Sequence, residues 1–194
     1  MKFTRRALII GTGAVATDLI VRARTGTAAT YEDPSTYSSD EILEAGHHFF
    51  GSITKGVAHA IEYVFHNQGE PVGYIVGEEG SGAFIAGLRY GEGQLHTKFA
   101  GQSRIFWQGP SLGWDMGADG ARTMMLVYNI ASLNDLYRRL PGVNGSAYMV
   151  AGAGVSIYGS SRALVAPIRS GVGARLGVNM GYLRFTERPT WNPF

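Results

Sequence analysis

From Gly73 to Phe185 the chain alternates short apolar runs with glycine-rich breaks, and 21 of its 28 glycines lie at or beyond Gly73. Runs of this length bounded by glycine predict β-strands joined by tight turns. Eight are read, over 73–78, 83–90, 94–99, 104–109, 121–129, 146–158, 162–169 and 173–185. Glu79-Gly80-Ser81-Gly82, Gly91-Glu92-Gly93 and Gly159-Ser160-Ser161 read as hairpin turns. In the third run Leu95, Thr97 and Phe99 alternate with Gln94, His96 and Lys98, the pattern of a half-buried strand. In the last run Gly177 and Gly181 share a face, which lets a strand bend sharply or another backbone approach. Eight strands with this much glycine predict a small closed antiparallel barrel, its first and last strands paired.

Helical periodicity occurs before the strands and once among them. Ser38 with Glu41 is a capping-box pattern opening a helix over 40–50, with Ile42, Ala45 and Phe49 on one face. Ser52 is read as the cap of a second helix, whose stripe is Ile53, Val57, Ile61 and Val64; Gly69 and Pro71 end it. Ser132 and Asp135 open an inserted helix with Leu133, Leu136, Tyr137 and Leu140, stopped by Pro141-Gly142. The predicted class is therefore mainly β (α+β): an eight-stranded antiparallel β-barrel after an N-terminal helical pair, with one short helix between strands.

Charge divides the chain. The formal net charge of +2 conceals a basic N-terminus: Lys2, Arg5, Arg6, Arg22 and Arg24 stand in the first 24 residues against Asp18 alone. From Thr30 onward 12 basic residues face 14 acidic ones, so no basic footprint for nucleic acid is present. Residues 1–29 read as an export signal. Lys2, Arg5 and Arg6 precede an apolar stretch over 7–17, too short to span a bilayer, and Thr27-Ala28-Ala29 offers a cleavage site. Thr4-Arg5-Arg6-Ala7-Leu8 resembles a twin-arginine signal. Residues 30–39 read as a linker and 40–194 as a single domain, expected in the periplasm. Cysteine is absent, which excludes disulfides and thiolate chemistry.

Several stretches carry a resemblance: 73–79 (GYIVGEE), 87–93 (GLRYGEG), 106–111 (FWQGPS), 119–129 (DGARTMMLVYN), 166–173 (APIRSGVG) and 189–194 (PTWNPF). The chain from about Asp40 onward resembles the bacterial domain of unknown function 1134 family, the envelope integrity protein A-like periplasmic β-barrels. The resemblance implies a soluble periplasmic barrel with a role in maintaining the cell envelope, and it implies no catalytic residues. About a third of the chain, from Leu126-Val127-Tyr128-Asn129 through Gly152-Ala153-Gly154-Val155 to the last strand, resembles the SYLF lipid-binding domain in pattern, which suggests lipid binding.

The candidate chemistry is sparse. Glu78 and Glu79 are adjacent, and neighbours on a strand point to opposite faces, so one carboxylate is expected in solvent and the other turned inward to an arginine. The catalytic alternative is an envelope glycan- or lipid-directed hydrolase using Glu78, Glu79, Asp115 or Asp119. His47, His48, His59, His66 and His96 show no zinc-type spacing, and neither metal nor cofactor is expected. Tyr90, Trp107, Trp114 and Met124 are candidates for lining a ligand pocket, with barrel filling as the alternative. Arg122 and Arg169, with Arg89 and Arg175, form either an anionic headgroup site or a structural ion-pair network. The reading is a non-catalytic periplasmic protein that binds a lipid or another envelope component. An integral outer-membrane barrel is a further alternative, since the chain ends in Phe194, although Pro189 and Pro193 interrupt the final strand.

Overall fold

The computed structural model describes residues 35–51, 53–81, 88–110, 121–143, 148–169 and 181–190, all within the unit Glu32–Phe194. Residues 1–34, which hold the expected export signal and half of the expected linker, lie outside the described residues, as do Trp114, Asp115, Asp119 and Arg175.

Helix α1 (Ser39–Phe50) opens as its sequence predicts. The Glu41 N–H donates to Ser38 Oγ at 3.3 Å, and the Ser38 N–H donates to Glu41 Oε2 at 2.8 Å. Helix α2 (Lys55–Gln68) is capped by Thr54 rather than Ser52; Thr54 Oγ1 accepts from the Val57 N–H at 3.3 Å. Its buried stripe is Val57, Ala60, Ile61 and Val64, ended by Gly69 at positive φ.

The strands are β1 (Gly73–Ser81), β2 (Leu88–Thr97), β3 (Gly101–Pro110), β4 (Ala121–Tyr128), β5 (Arg139–Pro141), β6 (Tyr148–Val150), β7 (Ala153–Val155), β8 (Tyr158–Ser160), β9 (Ala163–Arg169) and β10 (Tyr182–Thr186). They form one curled antiparallel sheet of ten strands in the order β5-β10-β3-β2-β1-β4-β9-β7-β6, with β8 also paired to β9. The expected count of eight is corrected to ten described strands. The run 146–158 is not continuous: Ala151 and Gly152 both take positive φ and turn the chain between β6 and β7, and Ser156 and Ile157 lie outside the strands between β7 and β8. The inserted helix shrinks to α3 (Leu133–Leu136), and the end of its predicted stripe, Leu140, lies in strand β5.

Two further expectations are overturned. Gly91-Glu92-Gly93 is not a turn; it runs through the middle of β2, where Gly91 pairs with Trp107 and Glu79, and Gly93 with Gly77. The first and last strands are not partners, since β1 lies between β2 and β4 while β10 lies between β3 and β5. An isolated bridge lies elsewhere. Gly142, just after β5, bridges to Tyr158 of β8, and the Val143 N–H donates to the Ile157 carbonyl at 3.0 Å.

Alternation divides the core in two. Inward residues Ile75, Leu95, Ile105, Trp107, Met125, Val127, Val165, Leu183 and Phe185 pack together within the curl, joined by Leu136 of α3. On the outer face Met124, Leu126, Tyr128, Ala166 and Ile168 pack against Ile42 of α1 and Val57, Ala60, Ile61 and Val64 of α2. The described inner face is thus filled by side chains, and the helices shield β4 and β9 from outside.

The glycines of β1 and β2 serve this packing. A Cβ on Gly91 would fall within the Trp107 ring, and one on Gly77 would strike both that ring and the β2 backbone. Gly91→Ala is expected to lower stability by ~1–3 kcal/mol through overpacking. A lower urea midpoint at unchanged slope would show it.

Candidate functional site

The charged groups of the inner face converge on Glu79, near the end of β1. Arg169, the last residue of β9, donates from Nε to Glu79 Oε1 at 3.2 Å and from a terminal nitrogen to Oε2 at 3.3 Å. Trp107 on β3 donates its indole N–H to Oε2 at 2.9 Å. Arg89 on β2 stands 3.9 Å from Oε1 and donates to the Tyr158 hydroxyl on β8 at 2.7 Å. Its guanidinium also lies 5.2 Å from the centre of the Tyr158 ring. One carboxylate therefore links β1 to strands two places away on either side, and Arg89 reaches from β2 to β8.

The electrostatics follow from burial. Removal from water alone would raise the Glu79 pKa, but Arg169, then Arg89, and the hydrogen bonds from Trp107 and Arg169 outweigh it and hold it at about 2. Such a group stays ionised and engaged, which does not suit it to donate a proton. Glu78 is exposed on the opposite face, paired in register with Arg122. The adjacent acids are thus arranged as alternation requires, one outward and one inward on arginine. Among the described residues, Arg89 Nε and the Tyr128 hydroxyl are buried without a hydrogen-bond partner. Burial raises the Tyr128 pKa.

The described residues of the predicted site lie in different places. Trp107 and Arg169 meet at Glu79. Met124 is fully buried on the other face, under α1. Arg122 is exposed, donates to the Phe49 carbonyl at 3.3 Å and sits 5.9 Å from the Phe49 ring, so it neutralises the C-terminal end of α1. Tyr90 lines an outer groove, and Trp114 lies outside the described residues. The histidines stay apart. His59 contacts Glu62 at 3.3 Å, His47 accepts from the Ile53 N–H, and His96 stacks on Tyr74. Among the described residues no group of three or more His, Asp or Glu is placed to hold a metal ion.

Two grooves open on the outer face of β1 and β2. One, of about 300 Å³, is lined by Tyr90 and Phe106, by the buried Trp107 ring behind Gly91, and by Glu78, Glu92 and Gln108 among others. The other, of about 570 Å³, lies between α1 and the sheet and is lined by Tyr37, Phe49, Tyr74, Val76, His96 and the acids Glu41 and Glu44 among others. Sequence reasoning missed the second groove; it placed Arg89 and Arg169 in a candidate ion-pair network without assigning either to Glu79. The alternation of Tyr74 and Val76 with Ile75 carried the signal for the groove, because it placed two more apolar side chains on the outer face.

These features define a class: a curled antiparallel sheet tied across its inner face by a buried carboxylate–arginine cluster and covered outside by two helices. The sequence profile of the family Envelope integrity protein A matches residues 35–194, and the chain belongs to that family. The solved structure of a β-barrel-like, uncharacterized protein from Brucella abortus is 57% identical, with a TM-score of 0.76, over 82% of this chain and 99% of that one. No curated protein matches the chain. No helix among the described residues is long and apolar enough to cross a membrane.

Proposed function

We propose that the chain is exported to the periplasm by its N-terminal signal and supports the cell envelope without catalysis, by holding an amphiphilic envelope component in the groove floored by Tyr90, Phe106 and Trp107. The family's role in envelope integrity motivates the setting. The groove carries the ligand reading. The inner face is filled by side chains such as Trp107, Phe185, Met125 and Ile105, so an occupant needs space outside it. Aromatic surface beside Glu78, Glu92 and Gln108 suits a molecule with an apolar part and hydrogen-bonding groups. The same reading has eight strands closing a ring, β5-β10-β3-β2-β1-β4-β9-β8, with the β6–β7 hairpin outside it. The Gly142–Tyr158 bridge supports the last joint. The exposed outer face carries Glu78, Glu92, Gln94 and Arg104 rather than an apolar band, which favours water over a bilayer as its surroundings.

Mass spectrometry of organic extracts from the purified protein tests the ligand. A bound or exchangeable amphiphile is expected, retained about fivefold less by Tyr90→Ala at unchanged circular dichroism. Protein that neither carries nor takes up any amphiphile would remove the reading.

A further inference from the structure

The groove between α1 and the sheet has a composition different from the first. Its walls are rings: Tyr37 meets Tyr74 edge-on at 5.1 Å, Tyr74 stacks on His96 at 4.6 Å, and Phe49 stands at the α1 end. All four rings are only partly buried. Its acids are Glu41 and Glu44, and no lysine or arginine is among the lining residues. Burial lowers the His96 pKa, so that ring adds no positive charge at neutral pH. Glu41 is bound by Lys98 at 3.0 Å, whereas among the described residues no ion pair or hydrogen bond engages the exposed Glu44 side chain.

The wall already attracts cations at both ends. Lys98 sits 4.9 Å from the centre of the Tyr37 ring, and Arg122 sits 5.9 Å from that of Phe49. Between them the groove is lined by these rings, by His48 and by the Glu44 carboxylate, with no lysine or arginine among its lining residues. A small, strongly hydrated ion would gain little from such walls. A cation wrapped in methyl groups loses little hydration on entry and gains from contact with the rings and from the carboxylate.

We propose that the groove between α1 and the β1–β2 surface is a binding site for a methylated ammonium group, held by Tyr37, Phe49, Tyr74 and His96 with Glu44 as its counter-charge. The site is separate from the groove at Tyr90, and its failure would leave that reading untouched.

Calorimetric titration of the full chain with choline chloride, with chemical-shift mapping, tests the proposal. The expected Kd is on the order of millimolar, with shifts centred on Tyr74 and His96. The neutral analogue with carbon in place of the quaternary nitrogen should bind at least about fivefold more weakly. Glu44→Gln, on the exposed side of α1, should weaken choline by about fivefold, while Glu62→Gln on α2 should not alter it. Vesicles of phosphatidylcholine compared with phosphatidylglycerol separate the sources. Selective capture by the former assigns the group to a lipid headgroup, and binding of choline alone assigns it to a free solute. Equal affinity for choline and its neutral analogue, or no shift at either Tyr74 or His96, would overturn the proposal.

Discussion

Glu79→Ala is expected to destabilise the protein by about 3–5 kcal/mol, because it strands the positive charge of two largely buried arginines. Arg169 and Arg89 both face that carboxylate, and its side chain is only 11% exposed. Glu79→Gln retains the shape and an acceptor for the Trp107 indole, and should lose somewhat less. The same carboxylate sets a pH dependence. Its pKa is held at about 2 in the folded protein, down from its ordinary 4.5. Its contribution is therefore fully present above pH 4.5 and is lost as pH falls toward 2; the shift corresponds to roughly 3 kcal/mol. Thermal melts across this range should show the unaltered protein losing stability more steeply than Glu79→Gln. Parallel curves would refute the assignment.

Trp107→Ala is expected to cost about 3–5 kcal/mol, the range for emptying a large aromatic site in a packed core. Trp107 is 1% exposed, packs near Phe185 at 6.5 Å between ring centres, and fills the space left by Gly77 and Gly91. Its removal opens a cavity and takes a donor from Glu79. Trp107→Phe keeps most of the volume and loses the N–H, so about 1–3 kcal/mol is expected for the under-satisfied carboxylate. Urea unfolding followed by circular dichroism checks both. A double-mutant cycle with Glu79→Gln should show coupling, as groups in one hydrogen-bonded cluster do. Additive losses would place the tryptophan's worth in packing alone.

The elements that sequence made legible are those with a local cause. The Ser38–Glu41 cap, the Val57–Ile61–Val64 stripe and the alternation through Leu95 and Thr97 are all written within a few neighbouring residues, and all appear in the fold. Glu78 and Glu79 could be assigned opposite faces for the same reason. What failed depended on distant partners. Gly91-Glu92-Gly93 has turn composition, yet its glycines are there to admit Trp107 and the β1 backbone, a requirement visible only once β1, β2 and β3 are side by side. Leu140 completed a helical stripe but is drawn into a strand beside Leu183. Residue type alone groups Trp107, Met124, Arg122 and Tyr90. Alternation then sent Trp107 inward and Met124 outward, and a pocket common to both does not form.

The proposed function depends most on the proposed joint between β5 and β8, since such a joint would make the inner face an interior and leave a ligand to the outer grooves. Nuclear Overhauser contacts between Gly142 and Tyr158, read with the exchange rate of the Val143 amide, test the joint directly. A close backbone contact and a slowly exchanging Val143 amide are predicted from the bridge and from the 3.0 Å bond to the Ile157 carbonyl. No contact, with Val143 exchanging as fast as an open loop, would mean that the seam between β5 and β8 is open.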